Sequence, residues 1–139
     1  MKHFPKALRA LLFGCLLLLT ACTHVKNSTG ALSVAEELVE AFNRHDAEAM
    51  ARQVATNFEL YYVDEAGASA LAITGRDQLI KEMKGYFESQ PSVKSTVLSS
   101  MDGPVYVSFR EQIVGGQSSL AVYEIRDQLI QRVWYYPAE

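Results

Sequence analysis

The spacing of apolar residues changes period along this chain, and that change limits the folds open to it. Between Val34 and Val54 the apolar positions recur every three or four residues: Ala35, Leu38, Val39 and Phe42, then Ala47, Met50, Ala51 and Val54. That spacing puts each set on one face of a helix. From Phe58 onward most segments are rich in aromatic and β-branched residues and alternate, as half-buried strands do. One more helical stretch, Ile80, Met83 and Phe87, interrupts them. Helices first and a meander of strands afterwards is an α+β pattern.

Turn and cap residues set the expected boundaries. Ser33 and Glu36 fit a capping box and predict a first helix over Val34 to Arg44. Asp46 caps a second helix, with Asn57 as its stop. A strand is expected over Phe58 to Asp64 and a short one over Leu71 to Thr74. Thr74 and Asp77 form a second capping box, opening a helix over Arg76 to Ser89 that Pro91 ends. Four strands follow: Val93 to Ser100, Val105 to Val114, Ser118 to Ile125, and a last one from Leu129. The pentapeptide RDQLI occurs at Arg76–Ile80 and again at Arg126–Ile130. Its flanks differ, so it is no internal repeat: the first copy opens a helix and the second holds a hairpin turn at Arg126-Asp127-Gln128.

The N-terminus reads differently from the rest. Lys2, Lys6 and Arg9 precede an apolar run from Ala10 to Leu19, ten residues long. A spanning helix needs about 20, so the run reads as the hydrophobic region of a secretory signal. It ends in Leu19-Thr20-Ala21-Cys22, which resembles a bacterial lipobox. The resemblance implies a lipoprotein signal peptide over residues 1–21, cleaved before Cys22, with lipid on Cys22. Residues 22–32 then form a polar tether and residues 33–139 one domain. Thr23, not aspartate, follows the cysteine; in lipoproteins of the enteric type this implies the outer membrane, facing the periplasm. The chain is expected to meet the membrane only through that lipid.

Charge and cysteine content exclude several functions. Cleavage removes Lys2, Lys6 and Arg9 and no acid, taking the net charge from −3 to −6. An acidic body is a poor nucleic-acid partner. Cys15 lies in the signal, so the mature chain keeps one cysteine and has neither an internal disulfide nor a thiolate metal cluster. No metal or cofactor is expected, because His45 is the only histidine well inside the folded region and the carboxylates show no ligand spacing.

The order of elements carries a further resemblance. Two helices end in NRHDAEAM, FELYYVD follows, TGRDQLIKEM opens the third helix, and AVYEIRDQLIQRVWYY closes the chain. This resembles the nuclear transport factor 2-like superfamily in its SnoaL-like branch. The resemblance implies a cone: three helices packed on a strongly curved, mostly antiparallel sheet around a pocket open at the wide end. Some members are ketosteroid isomerases, polyketide cyclases or epoxide hydrolases. The isomerase set is a tyrosine on the first helix, an aspartate on the first long strand and a second aspartate on a late strand. Here Leu38, Tyr62 and Val122 align with those positions, and none matches. The resemblance also implies homodimers formed through the outer sheet face, where Ser108, Arg110 and Gln112 are expected.

Candidate site residues follow from the strand pattern. Val105, Val107, Phe109, Glu111 and Ile113 share a face, which puts Glu111 in an apolar row. It reads either as a desolvated general base or as a residue turned outward by a bulge or paired with an arginine. His45 beside Asp46 invites a dyad reading, against which Asp46 is needed as a cap. Trp134 and Tyr136 share a face of the last strand that the family alignment points inward, and with Tyr62 and Glu111 they are the expected ligand-binding residues. Aromatic walls suit a flat apolar ligand and equally suit core packing. Three readings are open: a lipid-anchored binder of a small, largely apolar molecule, an isomerase- or cyclase-like enzyme with Glu111 as base, and a dimeric interaction module.

Overall fold

The computed structural model describes residues 30–138. The signal-like segment, Cys22 and His24 lie outside them, as does most of the expected tether. Helices α1 (Ala31–Asn43) and α2 (Ala47–Arg52) come first. Strands β1 (Val54–Val63) and β2 (Ser69–Thr74) precede helix α3 (Gly75–Ser89). Four strands close the chain: β3 (Ser95–Met101), β4 (Tyr106–Ile113), β5 (Ser118–Arg126) and β6 (Leu129–Pro137).

The strands make a single curved sheet in the order β2-β1-β6-β5-β4-β3. Every neighbouring pair is antiparallel except β1 and β6, which run parallel. The helices cover one face: α1 lies over β3 to β6, α3 over β1 and β2, and α2 joins the other two helices. Cross-strand register sets Val107, Tyr123, Val133, Leu60 and Ile73 in a single row on that face, and all five are buried. The fold is the α+β arrangement that the change of period predicts.

Several boundaries move, each for a packing reason. Helix α1 starts at Ala31 with Gly30 as its cap, so Ser33 lies in the first turn and no side chain caps the end. Ala31 and Leu32 pack on the core, which favours the extra residues of helix. Asp46 does cap α2: its Oδ1 accepts the Ala49 N–H at 2.8 Å. That helix stops at Arg52, well before Asn57, because the sheet recruits the chain from Val54 on. Val54 pairs with Ile130, and the Ile130 N–H donates to the Gln53 carbonyl at 2.9 Å. The Thr74–Asp77 box does not form. Instead the Thr74 N–H donates to Gln78 Oε1 at 2.8 Å, and Gly75 takes φ +78°. A Cβ at Gly75 would stand 3.2 Å from the Thr56 carbonyl oxygen, so glycine suits this corner twice over.

The second RDQLI is a tight hairpin. Arg126 pairs with Leu129, and Asp127 and Gln128 take φ of 53° and 60°. A two-residue loop with both φ positive is the turn that fits the twist of a hairpin, though Asn-Gly is its usual sequence. Just beyond it the register shifts. Ile125 pairs with Ile130 and Glu124 with Arg132, which leaves Gln131 as an extra residue. This bulge reverses the phase of everything after it on β6.

Candidate functional site

The helices do not fill the hollow of the sheet. A cavity of ≈ 480 Å³ remains between them, within the range of small-molecule sites. Leu38, Val39 and Phe42 of α1 form one wall, and Leu79, Met83 and Tyr86 of α3 another. The sheet contributes Phe58, Leu60, Tyr62, Val133 and Tyr135. These walls are apolar or aromatic because each element turns its hydrophobic face to the same space.

A buried polar cluster interrupts them, and Gln117, Ser118 and Ser119 line the cavity at the start of β5. Glu111 is 4% exposed and lines the cavity from β4. Its Oε2 accepts the Ser95 hydroxyl at 3.1 Å, and its Oε1 accepts the Tyr123 hydroxyl. The Tyr135 hydroxyl in turn reaches that of Tyr123. Desolvation raises the Glu111 carboxyl above its ordinary value, and the hydrogen bonds from Tyr123 and Ser95 counter only part of that. Burial pushes Tyr123 and Tyr135 well above the usual phenol range, so both remain protonated hydroxyls.

Register explains the convergence. Glu111 lies opposite Ser119, and Tyr123 lies opposite Val107, two rows away. The residue between them on β5 is Ala121, opposite both Phe109 and Tyr135. Side chains lean along their strands, and the small alanine leaves the space that the Tyr123 ring crosses to reach Glu111. Ser95 is held in place from outside the sheet. The Asn43 amide donates to the Ser95 carbonyl at 2.9 Å, and its Oδ1 accepts the Ser95 N–H at 2.7 Å. The end of α1 thereby clamps the start of β3.

The outer face treats its acids differently. Glu59, Arg132 and Glu124 form one cross-strand row. Arg132 Nε lies 2.8 Å from Glu59 Oε2, its Nη1 lies 3.1 Å from Glu124 Oε2, and Arg126 Nε lies 2.8 Å from Glu124 Oε1. Hydrogen bonds from Arg132 to Glu59, and from Arg126 to Glu124, hold both carboxyls below the usual range.

Of the expected ligand-binding residues, Glu111, Tyr62 and Tyr136 line the cavity. Tyr62 sits 58% exposed, its ring tilted against Tyr135 at 5.9 Å between centroids. Trp134 does not join them: it stacks on Tyr61 at 6.0 Å, both being on the outer face. The bulge at Gln131 is the reason, because it turns Val133 and Tyr135 inward where unbroken alternation from Ile130 would have turned Arg132 and Trp134. Glu111 is neither bulged outward nor paired with an arginine; Ser95 and Tyr123 hold it.

The three positions aligned with the isomerase set are scattered. Leu38 and Tyr62 line the cavity, while Val122 faces outward beside the inward Tyr123. His45 takes φ 58°, its Nε2–H donates to the Val93 carbonyl at 2.8 Å, and its ring stacks on Phe87 at 4.7 Å. With Asp46 capping α2, the two act as a helix–helix corner and not as a dyad. Among the described residues no three His, Cys, Asp or Glu side chains gather where a metal ion could sit. The sequence pattern counts Tyr123 and Tyr135 among the strand aromatics but singles out neither them nor Ser95 as partners of Glu111. The available signal was Ala121, a small residue between bulky ones on an inner row.

Comparison with known proteins agrees with this architecture. The family model described as a SnoaL-like domain matches residues 35–133. No curated protein matches the chain. Among solved structures, an uncharacterised cystatin-fold protein from Novosphingobium aromaticivorans superposes with a TM-score of 0.65 at 16% identity, covering 76% of this chain and 97% of that one. A SnoaL-like protein of unknown function from Burkholderia thailandensis gives 0.64 at 17% identity, covering 78% and 93%. A protein from Kribbella flavida, provisionally assigned as a ketosteroid isomerase, gives 0.60 at 19% identity, covering 77% and 76%. These likenesses concern the fold. Three helices on a curved six-stranded sheet and a family match spanning most of the chain lead to one statement: the protein belongs to the SnoaL-like domain family.

Proposed function

We propose that this is a lipid-anchored protein of the bacterial cell envelope whose SnoaL-like domain holds a small, largely apolar molecule. The cavity carries the reading: ≈ 480 Å³ walled mostly by aliphatic and aromatic side chains, with a buried carboxyl–tyrosine cluster inside. Apolar walls supply affinity through burial, and the few polar atoms fix orientation. The anchoring part rests on the signal-like run and Cys22. With Thr23 after that cysteine, the proposed site is the outer membrane, facing the periplasm. A globomycin-sensitive shift in mobility, lost in Cys22→Ser, tests the anchor. Native mass spectrometry of the purified protein, with thermal shifts over a panel of apolar compounds, tests the cavity. No retained ligand and no shift from any compound would overturn the binding reading.

A second reading is enzymatic and is favoured by one observation. Glu111 is buried at the cavity with a raised pKa and a tyrosine hydroxyl on it, as a carboxyl held for proton transfer would be. Turnover of an enolisable ketone that disappears in Glu111→Gln would decide for it. A third reading, a homodimer, is favoured by the outer sheet face. There Met101, Val122, Trp134, Tyr61 and Leu71 fall on one cross-strand row, with only Ser108 among them polar.

A further inference from the structure

The two faces of the sheet differ in how they neutralise acids, and the difference says something about the ligand. On the outer face Glu59 and Glu124 each have an arginine within 2.8 Å. On the inner face Glu111 has none. Ser95 of β3 and Tyr123 of β5 touch it, Tyr135 of β6 stands behind Tyr123, and α1 and α3 present apolar or phenolic side chains. Among the described residues no lysine, arginine or histidine lines the cavity, and Glu111 is the one carboxyl there.

The hydrogen bonds around Glu111 also have a direction. Ser95 and Tyr123 each hold one hydroxyl proton, and both point at the carboxylate. The Tyr123 oxygen can then only accept, so the Tyr135 hydroxyl donates to it. Every proton in the chain is directed inward. At this cluster what remains for a ligand is lone pairs, those of Tyr135 and the second pair on each Glu111 oxygen, while the polar groups of Gln117, Ser118 and Ser119 line another part of the cavity. The complement of a buried carboxylate and acceptor-only oxygens is a donor that carries positive charge. Phe42, Tyr62, Tyr86, Tyr135 and Tyr136 add aromatic rings to the same walls. Ring faces attract cations, more strongly where water is excluded.

We infer that the cavity takes a small hydrophobic amine, bound as its ammonium ion against Glu111 with tyrosine rings around it. This rests on the ligand-binding reading and sharpens it to a chemical class. An organic anion would meet Glu111 with no counter-charge. A neutral carbonyl compound would need Glu111 protonated and the hydroxyl chain reversed. Binding of an ammonium ion restores the ionised carboxyl, so uptake releases a proton wherever the empty site holds one.

The test uses the purified full-length protein and three matched probes: 1-naphthylmethylamine, 1-naphthylmethanol and 1-naphthoate. At pH 7.5 the amine is expected to bind at least about tenfold more tightly than the alcohol, with the acid weakest. In Glu111→Gln the amine and the alcohol are expected to bind alike. As a check that needs no variant, amine affinity rises from pH 5 to pH 8 while alcohol affinity stays flat. Calorimetry in buffers of different ionisation enthalpy should record net proton release with the amine alone. Alcohol binding as tight as amine, or an amine preference that survives in a folded Glu111→Gln, overturns the inference and leaves the apolar-cavity reading standing. Binding of none of the three at millimolar concentration overturns both.

Discussion

Glu111 is held in its protonated form more readily in the folded chain than in the unfolded one, and that has a measurable sign. Its folded pKa lies above the ordinary 4.5. Between those two values the native state binds more protons than the unfolded state. The Glu111 contribution to stability is therefore greatest below pH 4.5 and declines as pH rises through its folded pKa. Glu59 and Glu124 have lowered values and act in the opposite sense, losing their contribution as pH falls. The difference in unfolding free energy between wild type and Glu111→Gln cancels those outer-face groups. That difference is expected to shift against the wild type from pH 4 to pH 8, by urea titration; a flat difference contradicts the assignment. Ala121 makes a second prediction. Enlarging it to leucine fills the space that the Tyr123 ring crosses, which should cost about 1–3 kcal/mol and, by taking the Tyr123 hydroxyl off Glu111, raise its folded pKa further and strengthen the pH dependence just described. Alternation along β4 made Glu111 legible as an inward residue. Tyr123 was not legible, because its role depends on a cross-strand neighbour and on the absence of bulk at Ala121, neither of which one strand reveals.

The elements themselves were largely readable, and their failures are local. Asp46 caps a helix where the sequence says so, because that contact is made within four residues. The Ser33 and Thr74 boxes fail because core packing or a glutamine offers the backbone a better partner. Register was the harder quantity. The bulge at Gln131 inserts one residue's worth of phase, and that exchanged Trp134 for Tyr135 at the cavity. The hairpin turn before it is improvable. Asp127 and Gln128 both occupy the left-handed region, which disfavours residues with a Cβ. Replacing them with Asn-Gly keeps the loop length and suits its geometry, so the double variant should gain about 1 kcal/mol. A rise in the denaturation midpoint at constant slope would show it.

At the scale of the whole molecule, an α+β assignment needed only the order of periods, whereas the hollow interior needed curvature, which no single segment encodes. The outer face carries the remaining prediction. Met101, 73% exposed, belongs to the apolar cross-strand row, and Leu120, 39% exposed, lies in the row beside it. If that face joins two copies, Met101→Glu and Leu120→Glu should convert a dimer to a monomer in sedimentation, with little change in melting temperature because neither side chain is in the core. A wild-type protein that sediments as a monomer at high concentration removes the dimer.

The place of β6 in the sheet has a consequence for biosynthesis. It follows the other described strands in sequence, yet it lies between β1 and β5 and pairs with both. A nascent chain can pair β1 with β2, and β3 with β4 and β5, but until β6 is made only the helices connect these two ribbons. Until then each leaves an open strand edge, a template for misassembly with other chains. Premature termination anywhere before Leu129 would leave two unsealed ribbons and make such products clients for chaperones or proteases.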